Sequence, residues 1–278
     1  MSRACLEEHR RLWATKPLLA RVYGPWFEAL LAEAVRGARV VEVGAGPGTL
    51  RPFARERRPD LRWLSTDLEP VPWNDLAADA GRLPLLSGCA AAVVGLDVLH
   101  HLQEPAAFFR EVARVLLPGG RLALVEPWIS PLSWPIYRFL HEEDCRLGVD
   151  PWHPFPGPSK HSFDGDAAVP WRIVRDTQEP EWRRLGLGPP RVTRINTFAY
   201  LLSLGFRPAS LLPAPLVGPL LALDRRTVPL APLTALRALL VWDKATAAAS
   251  PFADSPVPLT GGSGGAKPPQ NRNARNRP

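Results

Sequence analysis

The clearest pattern of apolar and polar positions lies in residues 39–57, where a strand pattern changes to a helical one. Three valines, interrupted only by Glu42, form an apolar β-branched run over residues 40–43. Such a run is typical of a parallel strand that is buried on both faces. A glycine-rich turn follows, and residues 49–57 continue as a helical stretch that ends before Pro59. The order of strand, glycine turn and helix predicts the first unit of a nucleotide-binding α/β sheet.

Apolar runs of strand length recur beyond this unit. They predict a second strand at residues 61–66, a short third at 76–78, a fourth at 91–96 and a fifth at 121–125. Between the fourth and fifth strands, residues 105–116 place their apolar side chains on one helical face and end at a Pro-Gly-Gly signal. The segment between the second and third strands is short and rich in proline, so we expect an irregular connection there instead of a helix.

Both ends of the chain contain further elements. Residues 6–13 and 26–35 are predicted to be helices, with breaks at Pro17 and at the Gly24-Pro25 pair. Residues 191–200 are strand-like, and residues 236–244 are predicted to supply the last strand of the sheet.

Residues 128–190 depart from this pattern. They contain five of the ten tryptophans and many prolines, and they are too long for a simple connection. Long ordered insertions are usually functional, so we expect a cap over the ligand-binding edge of the sheet. The expected organisation is an N-terminal helical cap at 1–37, a main domain at 38–260 that includes the insertion, and a disordered tail at 261–278.

Composition and charge narrow the functional classes. With 278 residues and 46% hydrophobic content, the chain can bury a large core. The tail after Thr260 carries four of the seven net positive charges, which leaves +3 for the body, so the charge gives no reason to expect nucleic-acid binding. No apolar run has the length of a membrane span and the N-terminus lacks a signal-peptide pattern, so we expect a cytoplasmic protein. Its three scattered cysteines are expected to be reduced.

The acid at the end of the second strand has a clear chemical use. Both oxygens of Asp67 can accept hydrogen bonds from the hydroxyl groups of a ribose. A buried carboxylate without such partners would be costly. In the neighbouring turn, a glycine lacks the Cβ that would keep a ligand away from the main chain.

Four motifs in order resemble the class I S-adenosylmethionine-dependent methyltransferases of the small-molecule type. They are VVEVGAGPG at 40–48, the acid at Asp67, the Asp-Ala and Leu-Pro pairs at 79–84, and DVLHHL at 97–102 leading to LLPGGRLALVEP at 116–127. The resemblance implies a Rossmann-like, doubly wound seven-stranded sheet, mostly parallel with one antiparallel strand. It also implies S-adenosyl-L-methionine as cofactor and methyl transfer to an O, N or C atom of a small acceptor.

The same resemblance assigns roles to individual residues. The glycine turn would approach the methionine part of the cofactor, Glu42 would hold its amino group, Asp67 its ribose and Asp79 its adenine. The complete set of expected cofactor-binding residues is Glu42, Gly44, Ala45, Gly46, Gly48, Asp67, Leu68, Asp79, Ala80 and Leu96.

Two other classes remain open. One is an NAD(P)-dependent oxidoreductase, although the glycine spacing here is GxGxG and Glu42 lies just before the turn, where it would repel a pyrophosphate. The other is a protein with the methyltransferase fold that binds a partner or regulates without catalysis.

Methyl transfer to oxygen or nitrogen also requires removal of a proton. Candidate bases are His100, His101, Glu126 and His141, and we expect the two adjacent histidines to face different ways. Residues 141–145 lack the spacing of a metal motif, so no metal is expected. The tryptophans of the insertion and the apolar segment 211–223 favour a partly hydrophobic acceptor. Peripheral membrane contact by that segment and the oligomeric state stay open.

Overall fold

The computed structural model describes residues 3–155, 164–177 and 180–246. Its centre is a seven-stranded sheet in the order β3-β2-β1-β4-β5-β7-β6, in which β7 is antiparallel to both of its neighbours and the other pairs are parallel. The expected fold class is therefore confirmed. The strands are β1 (Arg39–Val43), β2 (Arg62–Asp67), β3 (Leu76–Ala77), β4 (Ala90–Leu96), β5 (Leu116–Pro127), β6 (Arg191–Ile195) and β7 (Arg237–Asp243).

Ten α-helices are found among the described residues. They are α1 (Arg3–Thr15), α2 (Leu18–Ala32), α3 (Leu50–Arg57), α4 (Pro105–Val115), α5 (Ser133–Phe139), α6 (Val169–Arg175), α7 (Glu181–Arg184), α8 (Phe198–Ser203), α9 (Val217–Arg226) and α10 (Ala231–Thr234). No helix lies between β2 and β3, as the sequence predicts. Among the described residues, no helix combines the length and the apolar character needed to span a bilayer.

The core forms on both faces of the sheet because successive strand residues point to opposite sides. On one face, Val40 and Val94 pack with Phe27 of α2. On the other, Val41 packs with Phe108 of α4. All five side chains are fully buried, and burial of each stabilises the fold by roughly 1.5–3 kcal/mol.

The predicted helix break at Gly24-Pro25 is wrong. Helix α2 runs through both residues, with Pro25 inside it. Proline in a helix removes one backbone hydrogen bond and strains the preceding turn. Here Tyr23, Trp26 and Phe27 are buried on either side of the proline, and their packing against the sheet outweighs that local cost.

The predicted strand at residues 191–200 is also too long. Strand β6 ends at Ile195 and α8 begins at Phe198. Asp224 of α9 accepts hydrogen bonds from the backbone N–H groups of Phe198 and Ala199, so the first turn of α8 is stabilised by a distant part of the chain.

The described part of the 128–190 insertion contributes to the core itself. Trp128, Tyr137, Ile173 and Trp182 are buried in the same cluster as α4 and the sheet. The division of the chain into cap and main domain stays a prediction, and the tail at 261–278 lies outside the described residues.

Lys16, in the link between α1 and α2, is buried, and its ammonium contacts a loop far along the chain. It donates to backbone carbonyls at 2.6–2.9 Å, those of Ser203, Gly205, Arg207 and Ala209. The N-terminal helices are thereby joined to the end of α8.

The sheet has one edge at which most strands end. Strands β1, β2, β4 and β5 run in parallel, so their carboxyl ends lie together. Arg237 at the start of β7 pairs with Pro127 of β5 and with Ile195 of β6, which places the carboxyl end of β6 at the same edge. In open α/β sheets, ligands bind at this edge.

Candidate functional site

The glycine turn after β1 requires backbone conformations that other residues rarely adopt. Gly44, Gly46 and Gly48 all have positive φ values, of +60°, +52° and +70°. A Cβ on Gly44 would lie 2.6 Å from Val98, and one on Gly48 would lie 2.6 Å from Trp73. At Gly46 the nearest side-chain atom would be 3.8 Å away, so the main chain is most accessible there.

Asp67 joins the end of β2 to this turn. Its Oδ2 accepts a hydrogen bond from the Gly46 N–H at 2.7 Å, and its Oδ1 accepts one from the Glu69 N–H at 3.0 Å. The residue is only 9% exposed. Each carboxylate oxygen can accept two hydrogen bonds, so each keeps capacity for one ligand hydroxyl.

The adenine-side residues lie next to Asp67. The Ala78 N–H donates to the Asp67 carbonyl at 2.8 Å, which places Asp79 and Ala80 immediately beyond β3 at the same edge. Asp79 is exposed, with Oδ1 bonded to the N–H of Gly81. Leu68 is 58% exposed.

Leu96, the last residue of β4, is half-buried. It directly follows Gly95, which pairs with Val43 at the end of β1. The expected cofactor-binding residues thus come to one edge of the sheet, and their contacts with a cofactor stay predictions.

Glu42 lies in β1, just before the turn, and its carboxylate is held inside the protein. Its Oε2 accepts hydrogen bonds from Trp63 Nε1 at 2.7 Å and from Ser65 Oγ at 3.0 Å. Burial raises the pKa of Glu42 to about 7, although both hydrogen bonds act in the opposite direction. Its expected role toward the amino group of the cofactor stays a prediction.

Contacts of Trp73 and Arg10 with the glycine turn were not predicted from the sequence. Trp73 donates from Nε1 to the Gly46 carbonyl at 2.9 Å, and the guanidinium of Arg10 lies 5.0 Å from the Trp73 ring. Arg10 also donates to the Pro47 carbonyl at 2.9 Å. The available signal was a tryptophan in the short segment that follows Asp67.

A second group of polar side chains lies at the ends of β4 and β5. Glu126 is fully buried and accepts hydrogen bonds from the backbone N–H groups of Val98 and Leu99 at 2.8 and 2.7 Å. Its Oε2 lies 2.6 Å from His100 Nδ1. Both carboxylate oxygens of Glu126 therefore orient the turn that carries the histidines.

The two adjacent histidines face the same carboxylate, so the expectation that they would face different ways is wrong. Residues 99–101 form a 3-10 turn that brings the His100 and His101 rings within 4.1 Å. His100 Nε2 lies 3.3 Å from Glu143 Oε2, and His101 Nε2 lies 3.5 Å from Glu143 Oε1. In the sequence, Glu143 stands out only as part of residues 141–145, which lack the spacing of a metal motif.

These contacts set the protonation of the group. Burial lowers the pKa of His100, but the carboxylates of Glu143 and Glu126 outweigh it and raise the pKa to about 10. Burial and the neighbouring His100 lower the pKa of His101 to about 4. For Glu143, burial raises the pKa, but His100 and the other nearby histidines lower it to about 2.

His141 lies beside this group in an irregular segment. Helix α5 ends at Phe139, so residues 141–145 lie beyond it and are not helical. The Glu143 N–H donates to His141 Nδ1 at 3.3 Å, and burial lowers the pKa of His141.

A buried cation separates the histidine group from a cavity. The guanidinium of Arg237 is paired with Asp97 and lies 4.7 and 4.9 Å from the rings of Trp26 and Tyr200. The same two aromatic residues line a cavity of 190 Å³ between α2, β6, α8 and α9, and its walls are mostly apolar. Thr197 also lines this cavity, and its buried Oγ1 has no hydrogen-bond partner.

Comparison with known proteins finds a family similarity over part of the chain. Residues 28–124 match a family model described as a methyltransferase domain, which includes β1 to β4 and most of β5. Residues 28–124 are therefore similar to a methyltransferase domain. The matched segment contains the glycine turn, Asp67, Asp79 and both histidines of the 3-10 turn.

Two curated relatives are each called malonyl-[acyl-carrier protein] O-methyltransferase. The relative from Hahella chejuensis is 30% identical over 123 residues, or 39% of this chain and 44% of the relative. The relative from Alcanivorax borkumensis is 32% identical over 98 residues, or 30% and 33%. The chain thus matches between a third and a half of the length of these relatives.

Among solved structures, the Burkholderia thailandensis 1,6-didemethyltoxoflavin-N1-methyltransferase with bound 1,6-didemethyltoxoflavin and S-adenosylhomocysteine is similar. It covers 87% of this chain and 84% of its own, with 14% identity and a TM-score of 0.48. That likeness is too distant to bear on the chemistry of this chain.

Proposed function

We propose that the protein is an S-adenosylmethionine-dependent methyltransferase that acts on a small, partly hydrophobic acceptor. The observation that carries the proposal is the contact between Asp67 Oδ2 and the Gly46 N–H, within the segment that matches the methyltransferase family model. This contact brings the Asp67 carboxylate, which can accept hydrogen bonds from ribose hydroxyls, next to the most accessible part of the glycine turn. Both lie at the edge of the sheet where ligands bind in open α/β folds.

The residues at this edge fit a cationic cofactor that has no phosphate. Asp67 and Asp79 place carboxylates on either side of the adenosyl position, and the neighbouring Glu42 would repel a pyrophosphate. When bound, the cofactor supplies an electrophilic methyl group on a sulfonium. The protein contributes by holding the acceptor in line with that methyl and by excluding water, an effect that can reach roughly 7–11 kcal/mol.

The candidate bases divide into two pairs by their access to an acceptor. Glu126 and His100 are buried and bonded to each other. The side chains of His101 and His141 are 20% and 37% exposed. We therefore place the acceptor on the side of His101 and His141.

The cavity beside Arg237 suits the apolar part of the acceptor. Two of its wall residues, Trp26 and Tyr200, contact the guanidinium of Arg237. Arg237 in turn pairs with Asp97, just after β4. An acyl chain or a flat ring fits walls of this kind. The names of the curated relatives point to an acyl acceptor methylated on oxygen, which agrees with such a cavity.

The donor is tested first, without any knowledge of the acceptor. We expect calorimetry to show binding of S-adenosylmethionine and of S-adenosylhomocysteine, and no binding of NAD. Binding of NAD with no heat from either adenosyl compound would reject the proposal in favour of an oxidoreductase. Isotopically labelled methyl donor, incubated with cell extract, should then label a product that mass spectrometry identifies.

The acceptor cavity is tested with a pair of variants on one helix. Leu221 of α9 lines the cavity, whereas Leu223 on the same helix does not line it and is partly exposed. Leu221→Trp should fill the cavity and reduce product labelling at least tenfold while S-adenosylhomocysteine binds as before. Leu223→Trp should leave both unchanged. Equal labelling by the two variants would place the acceptor elsewhere.

A further inference from the structure

Three side chains converge at the end of β4 with the geometry of metal ligands. His100 Nε2 lies 3.3 Å and His101 Nε2 lies 3.5 Å from oxygens of the Glu143 carboxylate. The ligand atoms of the three residues all lie within 4.8 Å of one another. Ligands at about 2.0–2.1 Å from a tetrahedral zinc ion are about 3.3 Å apart, so the two histidine–carboxylate distances are close to those of a zinc site.

The Nδ1 atoms of both imidazoles lie next to oxygen acceptors, and the Nε2 atoms face the Glu143 carboxylate. His100 Nδ1 lies 2.6 Å from Glu126, which is fixed by two backbone N–H groups. His101 Nδ1 lies 3.3 Å from the Asp164 carbonyl. A carboxylate or a carbonyl on the far nitrogen is the usual support of a metal-binding histidine, because it fixes the ring and the tautomer.

Charge and packing favour the same interpretation. Two buried or nearly buried carboxylates, Glu126 and Glu143, face one histidine, and the contact between Glu143 Oε2 and His100 Nε2 is long, at 3.3 Å. Buried carboxylates are costly unless they are paired or bound to a cation. A Cβ on Gly165 would lie 2.9 Å from Glu143 Oε2 and 3.0 Å from His101, so the main chain closes one side of the group.

We propose that His100, His101 and Glu143 bind a divalent transition-metal ion of the zinc class. Two imidazoles and one carboxylate suit such an ion better than Mg²⁺ or Ca²⁺, which prefer oxygen ligands alone. Three protein ligands leave a fourth position open, as in catalytic zinc sites. The site lies at the edge where the methyl acceptor is placed, so a role toward the acceptor rests on the proposed function, whereas binding itself does not.

The test uses full-length, tag-free protein without a methyl donor. Co²⁺ serves as the probe because its visible absorption reports coordination by nitrogen and oxygen ligands. We expect one Co²⁺ per chain with a visible band, its displacement by Zn²⁺, and no effect of Mg²⁺. Zn²⁺ should also raise the melting temperature, since a ligand that binds only the folded state stabilises it.

Two neighbouring glutamates provide the matched comparison. Glu143→Gln keeps the size of the side chain but removes the charged ligand, and it should weaken Co²⁺ binding at least tenfold, or about 1.4 kcal/mol. Glu142→Gln should bind as the wild type does, because the Glu142 side chain is 84% exposed and paired with Arg207 at the surface. His101→Ala is a second variant, at a part-exposed position, in case Glu143→Gln does not fold.

The binding experiments have three outcomes that bear on the metal site. Absence of stoichiometric binding by the wild type would overturn the proposal and leave a buried ion pair. Equal affinity in wild type, Glu143→Gln and His101→Ala would also overturn it, because the ion would then bind elsewhere. If the protein binds the metal but neither S-adenosylmethionine nor S-adenosylhomocysteine, the metal site stands and the proposed methyltransferase function fails.

Discussion

Glu42 makes the stability of this fold depend on pH in an unusual direction. Its carboxylate is buried in the sheet, where Trp63 and Ser65 donate hydrogen bonds to it. Burial nevertheless raises its pKa from 4.5 to about 7. The perturbation we consider is Glu42→Gln, which keeps a neutral hydrogen-bond acceptor of similar size and removes the ionisable group.

The expected magnitude follows from the shift in pKa. A carboxylate with a raised pKa in the folded state stabilises the fold fully below the pKa of the unfolded chain, and that stability is lost as the pH rises through the folded value. The difference of about 2.5 units corresponds to about 3 kcal/mol. For this group alone, the free energy of unfolding should fall by about 3 kcal/mol between roughly pH 4 and pH 8.

The assay is urea unfolding of wild type and Glu42→Gln at several pH values in this range. The two proteins should be similar near the acidic end, and the variant should become the more stable by up to about 3 kcal/mol at pH 8. The difference between the two curves removes the contribution of distant groups such as His100. Glu56→Gln, at an exposed position of α3, serves as control and should show no such divergence.

Two results would refute this reasoning. Parallel stability curves for wild type and Glu42→Gln would mean that Glu42 ionises in the folded protein as it does in the unfolded chain. A variant that is less stable at every pH would mean that the ionised carboxylate is the favoured partner of Trp63 and Ser65.

Three further predictions concern the turn and the edge of the sheet. Asp67→Ala should weaken S-adenosylhomocysteine binding at least tenfold, or about 1.4 kcal/mol, in calorimetry; unchanged affinity would mean that the ribose contact is misplaced. Gly48→Ala should destabilise the protein by about 1–3 kcal/mol in urea unfolding, since its φ is +70° and its Cβ would lie 2.6 Å from Trp73. Adding Trp73→Ala should relieve the clash but not the backbone strain, so full recovery would contradict this account. Arg237→Met should cost about 3 kcal/mol by leaving Asp97 without its buried partner, and a loss below 1 kcal/mol in the same assay would show that solvent compensates.

Local sequence patterns predicted much of the sheet because the apolar runs and turn residues lie within, or next to, the strands and helices that they define. The valine run before the glycine turn corresponds to β1, and the run at 91–96 matches β4 to within one residue. The helix predicted at 105–116 is one residue shorter. In each case the apolar period and the turn residues that end the element are adjacent in the chain.

The remaining features depend on parts of the chain that meet only after folding. Helix α8 begins where Asp224 of α9 meets the N–H of Phe198, and nothing in the sequence near residue 198 signals this. Glu143 reaches His100 across an insertion whose course the sequence does not specify. For the same reason, the histidines could be proposed as bases from the sequence, but Glu143, which contacts both of them, could not.

The ammonium of Lys16 has consequences for how this chain is made. Its acceptors lie 187–193 residues further along the chain, so the contact cannot form until that loop has been synthesised. At ribosomal rates of about 5–20 residues per second, the acceptor carbonyls are synthesised roughly 10–40 s after Lys16. Through that interval the link between the first two helices lacks the carbonyl partners that hold it in the folded protein.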